Sequence, residues 1–204
     1  MEVRPALRAL WDIDLAFGDV VATTLTPQLG AIRLAWWRER LDDLDKGIGP
    51  PPEPRLQAVA ATLIPAGVTG VTLSRLEDCW LTLLNPFPWS DAEADAVAER
   101  GAILFGIAAG LLARNAAEGE PFGVAWSLAD AAQSVSDPQS RAVLRGRAEL
   151  AIATLPWRGT PIDLAPLTMI ARRTVYDLLH GDRRGAHRLL YALRYGVFGA
   201  FPRS

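Results

Sequence analysis

The chain has 204 residues, half of them apolar, and a formal net charge of −2. That supplies enough apolar material for one well-filled domain and too little positive charge to draw nucleic acid onto a basic surface. Lys46 is the only lysine, so almost every cation is a guanidinium, a planar fork suited to carboxylate or phosphate; the single cysteine, Cys79, excludes an intrachain disulfide framework or thiolate zinc site.

The opening MEVRPALRALWDID lacks a basic start followed by an uncharged apolar run, so it does not read as a signal peptide. The longest uncharged apolar run, Gly101 to Ala113, is too short to span a bilayer. The expectation is a soluble cytoplasmic protein, with peripheral membrane contact left open.

Apolar residues recur at helical spacing and strand signals are nearly absent, which predicts an all-α chain. Pro5 suits the first position of a helix running to about Val21. Thr26-Pro27 reads as a cap and first turn for a second helix, which Gly47 ends. GIGPPPEP is a stiff connector within one domain spanning residues 1–204. Helices follow over Arg55–Leu63 and Thr69–Leu84, then a loop at NPFPWS. Ser90 with Glu93 forms a capping box opening a long helix to about Ala116. Further helices are expected over Gly123–Ser134, Pro138–Thr154, Leu167–Leu179 and Asp182–Phe198, about nine in all. The fifth is lean: Gly101, Ala102, Gly106, Ala108, Ala109 and Gly110 suit either close helix packing or the wall of a cavity.

In IRLAWWRERLDDLD, Arg33, Trp36, Trp37 and Arg40 share one helical face, while Arg38, Leu41, Asp42 and Asp45 belong to another. Arginines beside indoles can hold a phosphate next to an apolar tail; they can equally pack on tryptophan and pair with an acid. Asp42, Asp43 and Asp45 sit at the end of a helix where the macrodipole disfavours anions, and read as a solvated end. On the first helix Asp12 and Asp19 share a face two turns apart, with Asp14 off it. Carboxylates on one face suit magnesium, although no i, i+4 pair is present; surface charge or a salt bridge to arginine is the other reading. Asp137, just before Pro138, reads as an N-cap. His180 and His187 lack the neighbouring ligands of a metal pattern. There is no Gly-rich phosphate loop, Ser/His/Asp signature or zinc motif.

PALRALWDIDLAFGDVVATTLTPQLGAIRLAWWRERLDDLD resembles the N-terminal part of the squalene/phytoene synthase family, with echoes in ERGAILFGIAAGLL, GVAWSLAD, RGRAEL and RLLYALRYGVFGAFP. The resemblance implies the isoprenoid synthase fold, helices around a central cavity. In catalytic members two Asp-rich motifs on facing helices hold Mg2+, which neutralises the diphosphate leaving group as two prenyl diphosphates join head to head. Here the first helix has no DxxxD pair, and DAAQS places a serine where a second acid is wanted. These departures resemble a side branch of the family, similar to a respiratory complex I assembly factor, in which the Asp motifs are degraded. Two expectations follow. One is a non-synthetic family member that binds an isoprenoid or a protein partner, with Arg33, Trp37 and Arg40 supporting the cavity mouth or an anionic head group. The other is an active prenyltransferase, with Asp12, Asp19 and Asp130 on Mg2+ and Arg33 gripping diphosphate. An unrelated helical binding module is the third reading.

Overall fold

A computed structural model of the chain describes residues 3–157 and 159–180. In order these form α1 (Val3–Thr23), α2 (Pro27–Asp45), α3 (Pro54–Thr62), α4 (Gly70–Thr82), α5 (Asp91–Leu111), α6 (Ala116–Ser134), α7 (Pro138–Ala153) and α8 (Ala165–His180), the last led in by a 3-10 turn at Ile162–Leu164. The described residues contain no strand, as the periodicity predicts. The helix expected over Asp182–Phe198, His187 and the RLLYALRYGVFGAFP segment lie outside the described residues.

The starts of α2 to α7 each follow from a side chain that satisfies an otherwise orphaned N–H. Thr26 accepts from the Leu29 N–H, Glu53 from Leu56, Thr69 from Thr72, and Asp137 from Ser140, with proline at the first turn of α2, α3 and α7. The capping box of Ser90 and Glu93 opens α5. A second such box, Asn115 with Glu118, corrects the expected boundary between the fifth and sixth helices. α5 stops at Leu111 rather than near Ala116, because Ala113 turns the chain with φ 58, and α6 begins at Ala116, well before Gly123. Pro121 is accommodated inside α6, in its second turn.

Buried apolar side chains from all eight helices form one continuous cluster. α5 and α6 approach most closely. A Cβ on Gly101 would overlap the carbonyl of Gly123, and one on Gly123 the carbonyl of Gly101; Gly119 likewise abuts the Phe105 carbonyl. The Ser127 hydroxyl, on α6, donates to the Val97 carbonyl of α5 at 2.7 Å. The small residues at these positions therefore bring two backbones together rather than line a space.

The acidic tail of α2 is not a solvated end. Asp45 accepts the Gly70 and Val71 N–H groups at 2.6 and 2.9 Å, Asp42 accepts the Ser74 hydroxyl at 3.2 Å, and Asp43 pairs with Arg40 and Lys46. The penalty of an anion at the C-terminus of α2 is offset because Asp45 lies at the N-terminus of α4, where the dipole favours it.

Two outcomes test this packing. Gly123→Ala should lose about 1–3 kcal/mol by overpacking. Gly146→Ala, on α7 with nothing within 4 Å of its would-be Cβ, should gain up to about 1 kcal/mol. Urea unfolding midpoints measure both, and equal effects would contradict the close α5–α6 contact. Separately, the hydrogen bonds from the Ser90 hydroxyl, the Asn85 amide and the Ser90 backbone lower the Glu93 pKa from 4.5 to about 2. A depressed carboxyl stabilises the fold fully above the pH at which the unfolded group ionises. This contribution should therefore hold above pH 4.5 and fade as pH falls towards about 2. Glu93→Gln should flatten acid unfolding across that window.

Candidate functional site

The centre of the bundle is ionic. Asp14 of α1, 4% exposed, faces Arg100 of α5, 9% exposed. Arg100 Nε donates to Asp14 Oδ1 at 2.9 Å and Nη2 to Oδ2 at 2.6 Å, a bidentate pair. The Trp80 indole N–H, from α4, donates to Asp14 Oδ1 at 2.8 Å. The guanidinium carbon lies 4.5 Å from the Trp80 ring centroid and 5.2 Å from that of Trp126 on α6, so the cation is covered by two indole faces. Trp126 stacks in turn on Phe105 at 5.3 Å and on Trp11 at 6.3 Å. Gly18 lets the Trp80 ring press against the α1 backbone; a Cβ there would meet it at 3.1 Å.

Burial alone would lower the Arg100 pKa, but the charge and hydrogen bonds of Asp14, with a further contribution from Asp130, raise it. The guanidinium stays charged and spent on Asp14. It is neither a proton donor nor a free anion receptor, and the arrangement performs no acid–base step. Cys79, nearby on α4, is buried, and that burial pushes its thiol up to about 12, so it is no nucleophile at neutral pH.

The expected metal ligands are placed separately. Asp12 pairs with Arg8 at 3.5 Å, and Asp19, largely exposed, pairs with Arg55 of α3 at 3.0 Å. Two turns apart on one helix, they sit roughly 10.5 Å apart along its axis, too far to share an ion. Asp130, half-buried on α6, adds its field to Arg100 instead. Among the described residues no three His, Cys, Asp or Glu side chains are grouped to hold a metal. A magnesium cluster needs carboxylates free to coordinate it, and each acid of α1 faces an arginine; these residues do not fit one.

The expected phosphate grip is also dispersed. Arg33 is exposed and its guanidinium donates to the Thr23 hydroxyl at 3.3 Å. Trp37 is buried edge-on against Phe17 at 6.0 Å, and Arg40 is held by Glu39 and Asp43. Arg38, on the other face of α2, meets Glu77 of α4 at 3.3 Å. Glu77 is fully buried; burial raises its pKa, and Arg38 acts against that shift.

A cleft of about 260 Å³ lies between the segment just ahead of α8 and α8 itself, lined by Trp157, Thr160, Ile162, Met169 and Arg172 among others. It falls short of the roughly 300–1,000 Å³ usual for a small-molecule site. No described helix is long and apolar enough to cross a membrane. No family model, no curated protein and no solved structure matches this chain.

Sequence reasoning passed over Asp14 and Arg100. The signal was present: Asp14 falls on the α1 face of Leu10, Ile13 and Phe17, and Arg100 falls on the α5 face of Val97 and Leu104, all buried. Two opposite charges, each on an apolar stripe, call for one another.

Removing one partner should show how much rests on the pair. Arg100→Met strands a buried carboxylate and should destabilise by about 3–5 kcal/mol, whereas Asp14→Leu with Arg100→Met should recover much of that loss. Chemical denaturation of the two variants beside the wild type provides the comparison.

Proposed function

We propose that the chain is a non-synthetic helical protein of the squalene/phytoene synthase type, serving as a binding or assembly protein rather than a prenyltransferase. The observation that carries this reading is the Asp14–Arg100 pair. Head-to-head prenyl transfer needs several cations beside a departing diphosphate, and those cations need carboxylates. Here the one buried acid of α1 is neutralised by a protein guanidinium and an indole N–H, and Asp12 and Asp19 carry arginines of their own.

The packing supports the same reading. The ring stack of Trp11, Phe105 and Trp126 occupies the interior between α1, α5 and α6, and the glycines of α5 and α6 are used to close the two helices together. A carbocation-sheltering cavity would place its aromatic wall around open space. Here Trp126, together with Trp80, covers Arg100.

Incubation of the purified chain with Mg2+ and farnesyl or geranylgeranyl diphosphate should release no pyrophosphate above a protein-free control. Release that disappears in the Asp12→Asn/Asp19→Asn variant, with helical circular dichroism intact, would restore the synthase reading. Silence in the same assay, combined with saturable binding of either diphosphate, would assign the binding role to an isoprenoid.

A further inference from the structure

α8 is apolar on its outer face as well as its inner one. Leu167, Ile170, Ala171 and Leu178 are buried against the bundle. On the opposite side Met169, Tyr176 and Leu179 are 66%, 51% and 50% exposed. Their steps of seven and three keep them on one stripe of the helix. Arg172 lies on the same stripe, its guanidinium over the Trp157 ring at 5.1 Å and donating to the Trp157 carbonyl at 3.0 Å. The 260 Å³ cleft opens at the N-terminal end of this stripe. Short of an ordinary small-molecule site, it suits side chains from a packed neighbour.

The chain runs on from His180, where α8 ends, through 24 further residues. In that sequence Ala186, Leu189, Leu190, Leu193 and Val197 recur at helical spacing on one stripe that holds no charge. Gly181 stands where glycine commonly ends a helix and turns the chain. The lengths match: the 16 residues of α8 measure roughly 24 Å, and residues 182–198 at helical rise roughly 25 Å. A return along α8 from Gly181 sets Ala186 beside Tyr176 and Leu193 beside Met169, and delivers Val197 to the cleft. Charge acts in the same direction. Residues 181–204 carry five arginines and one acid, whereas residues 1–180 carry 22 acids and 16 cations. A second copy or a lipid surface would have to compete with a segment tethered to the face itself, at an effective concentration of roughly millimolar.

We propose that the outer face of α8 is a docking site for residues 182–198 of the same chain, which return antiparallel along it and close the cleft beside Trp157 and Met169. The proposal does not depend on the functional reading above. Docking turns Met169 and Tyr176 from surface into interior, and it removes the cleft from the places where a free ligand can bind.

Met169 supplies a direct readout, because a covered thioether resists peroxide. In the full chain at low concentration its oxidation, followed by peptide mass, should run about tenfold slower than that of free methionine in the same tube. The full-length variant Leu190→Asp/Leu193→Asp should oxidise Met169 at nearly the free rate, with cooperative unfolding of the bundle retained. On mild oxidation Met169→Cys/Leu193→Cys should close an intramolecular disulfide. Met169→Cys/Tyr195→Cys should not, since residue 195 falls on the far side of the stripe. The native thiol of Cys79 is buried and stays out of the reaction. Wild-type Met169 that oxidises as fast as free methionine, or protection indifferent to Leu190→Asp/Leu193→Asp, would overturn the proposal. Protection that appears only as protein concentration rises would do the same and assign the face to a second copy. Phosphatidylserine vesicles that capture the full chain while Met169 stays reactive would assign the segment to lipid instead.

Discussion

A carboxylate and a guanidinium removed from water constrain everything around them. Asp14 and Arg100 can be buried only while each is in hydrogen-bonding register with the other, since an unpaired buried charge costs several kcal/mol. That register fixes α1 against α5. The Trp80 indole, donating to the same carboxylate and covering the same cation, brings in α4, and Trp126 brings in α6. Four helices are thus located by one pair of charges. The close α5–α6 contact at Gly101 and Gly123 holds Trp126 over a guanidinium carried by α5.

A second set of charges orders the other side of the molecule by a different means. Asp45 joins the end of α2 to the start of α4 through two backbone N–H groups, and Asp42 and Arg38 continue the contact through Ser74 and Glu77. These residues act as tertiary caps. They leave the opposite face of α2 with no work to do inside the bundle, which is why Ile32 and Trp36 stand outward on a helix whose inner face is already full.

The helices were legible in the sequence because their punctuation is local. Thr26-Pro27, Ser90 with Glu93, and Asp137-Pro138 all cap where they are expected to. The α5–α6 break was not, although Asn115 with Glu118 carries the same kind of signal: the turn falls at Ala113, an alanine at positive φ, a residue type that ordinarily continues a helix. The acids were misplaced for a more general reason. Sequence spacing reports which residues share a face, and Asp12 and Asp19 do; it does not report what the face meets. The fate of Asp14 depends on Arg100, distant in sequence, and that of Asp45 on Gly70. Of the expected magnesium ligands, Asp12 meets Arg8 one turn away on α1, and Asp19 meets Arg55 of α3.

An acid-rich first helix can be neutralised by bound metal or by the protein's own cations, and the two solutions have opposite consequences. Carboxylates awaiting metal repel one another in the empty state, so such a centre is completed by its ligand. Carboxylates paired with arginine are satisfied at once, and binding anything there would first have to break a bidentate bond in a medium where it is strong. This chain has taken the second solution at Asp14, with Arg100 as the cation and two indoles covering it. A centre built this way gives up the capacity to exchange ligands, and in return holds its shape with nothing bound. On the reading proposed above, that property suits an interaction protein, whose outer surfaces must be presented in fixed relation before any partner arrives.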